Sequence, residues 1–143
     1  MDLNGSYTFN APPARVWGLL MDPAVISSCI PGCEGMEPDG PDRYKVKLQV
    51  AIAAITGGYE GAVAITDKVE PSSYRLLVEG QGKAGFAKGS SSVTLRADGD
   101  QTIVDVSGTV QTGGPIARVG QRLIGGVSKM MLDKFFACLQ SKT

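Results

Sequence analysis

The chain has 143 residues, among them no histidine and only three cysteines. Without histidine it lacks the side chain that most often acts as a general base or a metal ligand. Its 14 basic and 14 acidic residues cancel, so no basic excess is available to bind nucleic acid by counterion release. Long apolar runs are also missing, and the longest falls far short of the ~20 residues that a membrane-spanning helix needs.

The three cysteines are Cys29, Cys33 and Cys138. An odd number argues against a disulfide framework, and the N-terminus has neither the basic region nor the apolar run of a secretory signal. Both features predict a reducing compartment, with the cytoplasm as the default location. A zinc site would need a second pair of ligands, and a nucleophilic cysteine would need an adjacent base. We therefore interpret all three as buried structural residues.

The length suits a single domain, residues 1–143, with enough chain to bury a core. A first strand is predicted over 3–9, and two short helices over 14–21 and 23–28, with Asp22 as the N-cap of the second. From Gly35 to Thr112 the sequence alternates with period two between turn signals, which indicates a meander of about six antiparallel strands.

One face of each predicted strand is apolar. The residues assigned to that face after the first strand include Tyr44, Val46, Leu48, Val50, Ile52, Gly61, Val63, Ile65, Val69, Tyr74, Leu76, Val78, Val93, Leu95, Val104, Val106 and Val110. A sheet with one apolar face must cover it, and a long C-terminal helix is the only predicted element large enough. The fold class is therefore α+β, a curved antiparallel sheet of about six to seven strands wrapped around that helix.

The final helix is predicted over 116–140, because its apolar residues recur at helical spacing. Its apolar stripe comprises Ile116, Val119, Leu123, Val127, Met130 and Met131. Gly125 and Gly126 interrupt this stretch, and each costs up to ~1 kcal/mol relative to alanine in a helix. They predict a kink in the middle of the helix.

Glycines are frequent on the apolar strand face. Those near inward positions are Gly61, Gly80, Gly82, Gly89 and Gly108. One interpretation is that they permit the bends of a curved sheet. The other is that they leave its concave side underfilled, to hold a ligand. Taken together they favour an apolar void, because close-packed interiors tolerate few gaps and such a void selects an apolar ligand.

The other motifs are weak. Residues 80–85, GQGKAG, match a dinucleotide-binding pattern, but no helix follows them, so that hypothesis fails its required context. Tyr59 and Ser91 are the polar side chains that a cavity enzyme would use. Nothing in their sequence context distinguishes them from ordinary strand residues.

Two stretches of the sequence carry a family resemblance. Residues 22–34 read DPAVISSCIPGCE, and residues 85–89 read GFAKG, followed by VTL at 93–95 and GGPIARVGQRLI at 113–124. Both resemble the CoxG family of carbon monoxide dehydrogenase, within the superfamily of START and Bet v 1-like domains. The similarity covers essentially the whole chain.

The resemblance implies a helix-grip fold with a hydrophobic cavity between sheet and long helix. It also implies a non-catalytic accessory role to a molybdenum-containing carbon monoxide dehydrogenase or related hydroxylase. Such proteins are linked to membrane recruitment of the dehydrogenase, hence peripheral contact at the inner face of the cell membrane. They are also linked to handling a respiratory quinone such as menaquinone, which would be a bound ligand rather than a cofactor.

Alternation along the strands and the helix predicts which residues line the cavity. The predicted lining comprises Val46, Leu48, Val63, Ile65, Leu76, Val78, Val93, Val106, Leu123, Val127 and Met131. Phe86, taken as part of a glycine-flanked loop, is predicted to gate the mouth. Two alternatives remain open: an assembly factor without a small ligand, and an enzyme of the polyketide cyclase or aromatase type.

Overall fold

The computed structural model describes residues 1–51 and 56–143, so the predicted strand residue Ile52 lies outside the described residues. The elements in chain order are β1 (Asp2–Phe9), α1 (Pro13–Met21), α2 (Pro23–Cys29), β2 (Cys33–Pro38), β3 (Arg43–Val50), β4 (Gly57–Val69), β5 (Ser73–Gly82), β6 (Gly85–Asp98), β7 (Gln101–Gly113), a 3-10 helix (Gly114–Val119) and α3 (Gln121–Gln140).

The strands form one antiparallel sheet in the order β1-β7-β6-β5-β4-β3-β2. From β2 to β7 each strand pairs with its neighbour in sequence, which is the predicted meander. β1 pairs with β7, where Phe9 lies opposite Thr102, so the first strand forms one edge and β2 the other. The α+β helix-grip fold is confirmed, with α1 and α2 crossing between the two edge strands.

The local sequence determines where the two short helices begin. Pro13 and Pro23 each occupy the first turn, where the missing N–H costs nothing. The carboxylate of Asp22 accepts a hydrogen bond of 3.0 Å from the backbone N–H of Ala24, which confirms it as the N-cap of α2. Val16 and Leu20 of α1 are buried and hold that helix on the sheet.

Apolar packing is divided between two clusters at opposite ends of α3. The main core joins the sheet, α1, the end of α2 and the end of α3, and its fully buried members include Phe9, Val16, Leu20, Val93, Val104, Phe136 and Leu139. The second, smaller cluster joins the 3-10 helix and the start of α3 to the strand ends. Its buried members are Ile116 and Ile124, packed against Met1, Val50 and Ala84.

The predicted C-terminal helix begins later than the sequence suggested. Residues 114–119 form the 3-10 helix, and α3 starts only at Gln121. The break falls at Gly120, whose φ of 93° lies in a region that glycine adopts readily. Gly125 and Gly126 lie inside α3, which continues as an α-helix through both residues.

Two strand assignments also need correction. Val69, predicted to face inward, is 59% exposed. A register shift between Thr66 and Val69, with Asp67 at φ 52°, bulges the end of β4 and turns Val69 outward. Phe86 lies in β6 and not on a loop.

Cys29 and Cys138 form a disulfide, which corrects the expectation of three unpaired cysteines and removes the support that the cysteines gave to a reducing compartment. The bond joins the end of α2 to the last turn of α3, with 5.4 Å between the two Cα atoms. A separation of 109 residues hides this pairing from any local pattern. Cys29 is buried as predicted, whereas Cys33 keeps a free, half-buried thiol.

None of the described helices is both long enough and apolar enough to cross a lipid bilayer.

Candidate functional site

The inner face of the sheet carries the glycines that suggested a cavity. Gly61 on β4 lies opposite Gly80 on β5, which in turn lies opposite Ala87 on β6. In the next cross-strand row, Val78 lies between Val63 and Gly89. The alternation places these residues on the same face as buried Ile65 and Val93, so the predicted inward positions of the glycines are confirmed.

The glycines divide between the two interpretations. A Cβ atom at Gly61 would overlap the carbonyl oxygen of Glu79, and one at Gly108 would overlap that of Ser90. These two glycines therefore permit close approach of neighbouring strands. A Cβ at Gly80 would come no nearer than 4.0 Å to another atom, and one at Gly89 no nearer than 3.6 Å. Here the missing side chain leaves space.

The predicted lining residues fall into three groups. Four are buried: Val46, Ile65, Val93 and Val106. Half-buried are Leu48, Val63, Leu76, Leu123, Val127 and Met131. Val78 occupies an inward-facing position of β5, and it is nevertheless 42% exposed. The apolar inner face is thus packed at one end and partly open further along.

Phe86 is placed differently from the prediction. β6 pairs with β7 without a register shift from Phe86 to Asp98, so Phe86 lies on the face opposite to that of Val93. Its ring packs over Gly113 and is 43% exposed. It therefore lies on the outer face of the sheet and not at the mouth of the sheet–helix space.

The burial of side chains also varies along α3. Its fully buried residues are Ile124 near one end and Phe136 and Leu139 near the other. Between them, Val127, Met130 and Met131 are only half-buried. Between the two packed clusters, apolar side chains of the sheet and of α3 are thus incompletely buried, and these side chains form the candidate site.

A polar cluster beside this site was missed by sequence reasoning. The Tyr7 hydroxyl of β1 donates a hydrogen bond of 2.7 Å to Asp133 Oδ1 of α3. Lys129 Nζ donates to the same oxygen at 2.9 Å and to the Tyr7 hydroxyl at 3.3 Å. The Tyr7 ring stacks on Phe136 at a centroid distance of 4.2 Å. The cluster fixes α3 against the edge strand, and no motif could reveal residues 126 apart.

The environment shifts the pKa of each member of this cluster. Burial, followed by the hydrogen bond to Asp133, raises the pKa of Tyr7. The hydrogen bonds from Tyr7 and Lys129 lower the pKa of Asp133, and the bond to Asp133 raises the pKa of Lys129. All three shifts stabilise the protonation states found at neutral pH, as in a structural contact.

The polar candidates for an enzyme are sparse on the inner face. Ser91 is half-buried opposite Leu76 and Gly108. Burial raises the pKa of Tyr59, whose ring lies over Gly82. Within residues 1–51 and 56–143, no group of three or more His, Cys, Asp or Glu side chains is placed to hold a metal ion.

Two open depressions lie along strands β2 to β6. The larger, about 900 Å³, crosses β2 to β6, and the smaller, about 560 Å³, lies beside it near Tyr59 and Lys83. Charged side chains line both, including Lys47 and Glu60. The charged lining residues of the larger depression alternate with the inward ones, which places it on the outer face of the sheet. The smaller depression is also lined by the inward-facing Leu48 and Tyr59.

The chain is similar to one known protein family and to several solved structures. Residues 5–143 match the model of the family described as the CoxG subunit of carbon monoxide dehydrogenase. No curated protein matches the chain. A conserved protein from Geobacillus kaustophilus is 36% identical, with a TM-score of 0.95 over 99% of this chain and 94% of that chain.

More distant structures share the fold alone. A START superfamily protein from Mycobacterium smegmatis is 11% identical, with a TM-score of 0.73 over 99% of this chain and 95% of that one. The ZhuI aromatase/cyclase from Streptomyces sp. R1128 is 14% identical, with a TM-score of 0.71 over 99% of this chain and 92% of that one.

Proposed function

Because the chain belongs to the CoxG family of carbon monoxide dehydrogenase, we propose that it is a non-catalytic accessory protein that holds a lipophilic ligand. The ligand is a respiratory quinone such as menaquinone, and the protein served is a molybdenum-containing carbon monoxide dehydrogenase or a related hydroxylase. The protein works in the cytoplasm, in peripheral contact with the inner face of the cell membrane, where it assists recruitment of the dehydrogenase.

One observation carries the ligand part of this proposal. Inward-facing Val78 is 42% exposed, and the apolar residues in the middle of α3 are only half-buried. Leaving apolar side chains in contact with water costs about 25 cal/mol per Å². A bound apolar molecule would remove that cost, and mostly hydrophobic walls suit a ligand with a long apolar body.

A space-filling variant tests the site. Gly89 has room for a side chain and no positive φ, so Gly89→Phe should fill the space without straining the backbone. We expect purified wild-type protein to bind menaquinone in a fluorescence titration, and Gly89→Phe to lose at least about tenfold in affinity. Gln111→Phe is the matched control, because it adds the same ring to an exposed position on the neighbouring strand.

Each outcome has a clear meaning. Quinone binding that Gly89→Phe abolishes and Gln111→Phe preserves supports a ligand in the sheet–helix space. If wild-type protein binds no quinone and a solvent extract of natively purified protein holds no lipid, the carrier proposal fails. Equal binding by both variants would place the ligand elsewhere.

A further inference from the structure

The larger depression on the outer face has a distinct arrangement of charge. It is lined by side chains from five consecutive strands of the sheet. Its charged and aromatic lining comprises Glu34, Glu37 and Asp39 around β2, Arg43, Lys45 and Lys47 on β3, Glu60 on β4, Glu79 on β5, and Phe86 and Lys88 on β6. The signs therefore run in strips across the sheet: acidic, basic, acidic, then basic.

The strand register places opposite charges directly across from each other. Lys47 lies opposite Glu60, and Glu79 lies opposite Lys88. Yet within the described part of the chain no ion pair or hydrogen bond engages any of these four side chains. All four are exposed, so their charges are directed to solvent.

Charged groups elsewhere on the same face do have partners. Arg96 pairs with Asp105 at 3.1 Å. Arg75 donates hydrogen bonds to the hydroxyls of Ser90 and Ser92, at 2.7 and 3.1 Å. On this face, Arg75 and Arg96 are thus engaged by neighbours, whereas the four groove side chains are not.

An aromatic residue stands at the edge of the groove. The Phe86 ring is 43% exposed and is held in place over Gly113, where no side chain competes for the space. Lys88 Nζ lies 6.0 Å from the ring centroid. An exposed aromatic ring beside unpaired charges is typical of a protein-binding surface. On such surfaces the aromatic residues contribute binding energy, and the charges select the partner.

We infer that this groove is the docking surface for the dehydrogenase, an inference that rests on the proposed function. The partner surface presents acidic groups to the β3 strip, basic groups to Glu60 and Glu79, and an apolar pocket to Phe86. Alternating signs disfavour nucleic acid and anionic lipid, because each would meet an acidic strip.

The test uses carbon monoxide dehydrogenase holoenzyme from the same source, immobilised for a binding titration at low and high salt. We expect wild-type protein to bind, with an affinity that falls as salt rises. The charge reversal Lys45→Glu with Lys47→Glu should weaken binding at least about tenfold, and Phe86→Ala should do the same. The matched control is Arg122→Glu with Lys134→Glu, an equal change of charge on α3.

The outcomes separate this inference from the proposed function. Loss of binding in the groove variants, with the α3 control and menaquinone binding unchanged, supports the docking surface. Normal binding by both groove variants overturns it while leaving the dehydrogenase as partner. If wild-type protein does not bind the holoenzyme, both the docking surface and the proposed partner fail. If the charge-reversal variant also loses menaquinone binding, that variant is misfolded. The binding of the Phe86→Ala variant to the holoenzyme then decides whether the groove is the docking surface.

Discussion

Tyr7 shows how much a single side chain contributes at the residue scale. Its ring packs on Phe136 in the core, and its hydroxyl reaches the exposed carboxylate of Asp133. It therefore joins β1 to α3 both by apolar contact and by a charge-assisted hydrogen bond. The two contributions can be separated, because phenylalanine keeps the first and loses the second.

We predict that Tyr7→Phe lowers the free energy of unfolding at neutral pH by up to about 1 kcal/mol, since the lost bond is open to water. Urea denaturation measures the change. Tyr44→Phe is the control, because no hydrogen bond of the Tyr44 hydroxyl occurs among the described residues. An equal loss in both variants would contradict a specific role for the Tyr7 hydroxyl.

The same substitution should change the pH dependence of stability. The lowered pKa of Asp133 contributes stability above about 3.8, and that contribution is lost as pH falls through the folded-state pKa. The raised pKa of Tyr7 contributes stability below 10.0, lost as pH rises through its folded-state pKa. Tyr7→Phe should therefore flatten the stability profile at both extremes, as measured by denaturation from pH 2 to 11.

At the scale of elements, Gly120 and Gly126 make opposite contributions to the C-terminal helix. Gly120 connects the 3-10 helix to α3 with φ 93° and ψ 152°, a conformation that other residues rarely adopt. Gly126 lies within α3 without a positive φ, and a Cβ there would meet nothing within 4 Å.

We predict that Gly120→Ala destabilises the protein by about 1–3 kcal/mol, whereas Gly126→Ala stabilises it by up to about 1 kcal/mol. Chemical denaturation of the two variants, side by side, checks the signs. Stabilisation by Gly120→Ala would mean that the break between the two helices is not required by the backbone.

The disulfide acts on the opposite end of the same helix. It joins residues 109 apart in the sequence, so its loss should cost about 2–5 kcal/mol by the chain-entropy argument. We predict that Cys138→Ser loses this stability under oxidising conditions, while Cys33→Ser stays close to wild type. Adding a thiol reductant should lower wild-type stability to that of Cys138→Ser and leave that variant unchanged. A wild type indifferent to reductant would contradict the prediction.

Elements with strong local patterns could be predicted from the sequence, and contacts between distant residues could not. The burial of Val93, Leu95 and Val104 follows from the period-two pattern within single strands. The N-cap at Asp22 likewise follows from its local sequence. The Cys29–Cys138 bond depends on where α2 and α3 meet, which no local pattern specifies.

In the candidate site, too, the facing of strand residues could be predicted from the sequence, whereas their exposure could not. Alternation correctly assigned Val78 to the inner face, but its exposure depends on how far α3 covers the sheet. Phe86 was misplaced because its glycine neighbours resembled a loop, whereas the register with β7 extends the strand through them. Whether the predicted lining residues touch a ligand stays a prediction.

At the scale of the whole molecule, the strand order has a consequence for folding kinetics. β2 to β7 are joined by sequential hairpins of low contact order, whereas Asp2 pairs with Thr109 across nearly the full chain. The meander should therefore form the folding nucleus, and β1 should dock after the rate-limiting barrier. We predict a φ-value near zero for Leu3→Ala and a higher one for Val93→Ala in stopped-flow experiments. Until β1 docks, β7 is an unpaired edge, so the chain should be most prone to aggregation before that step.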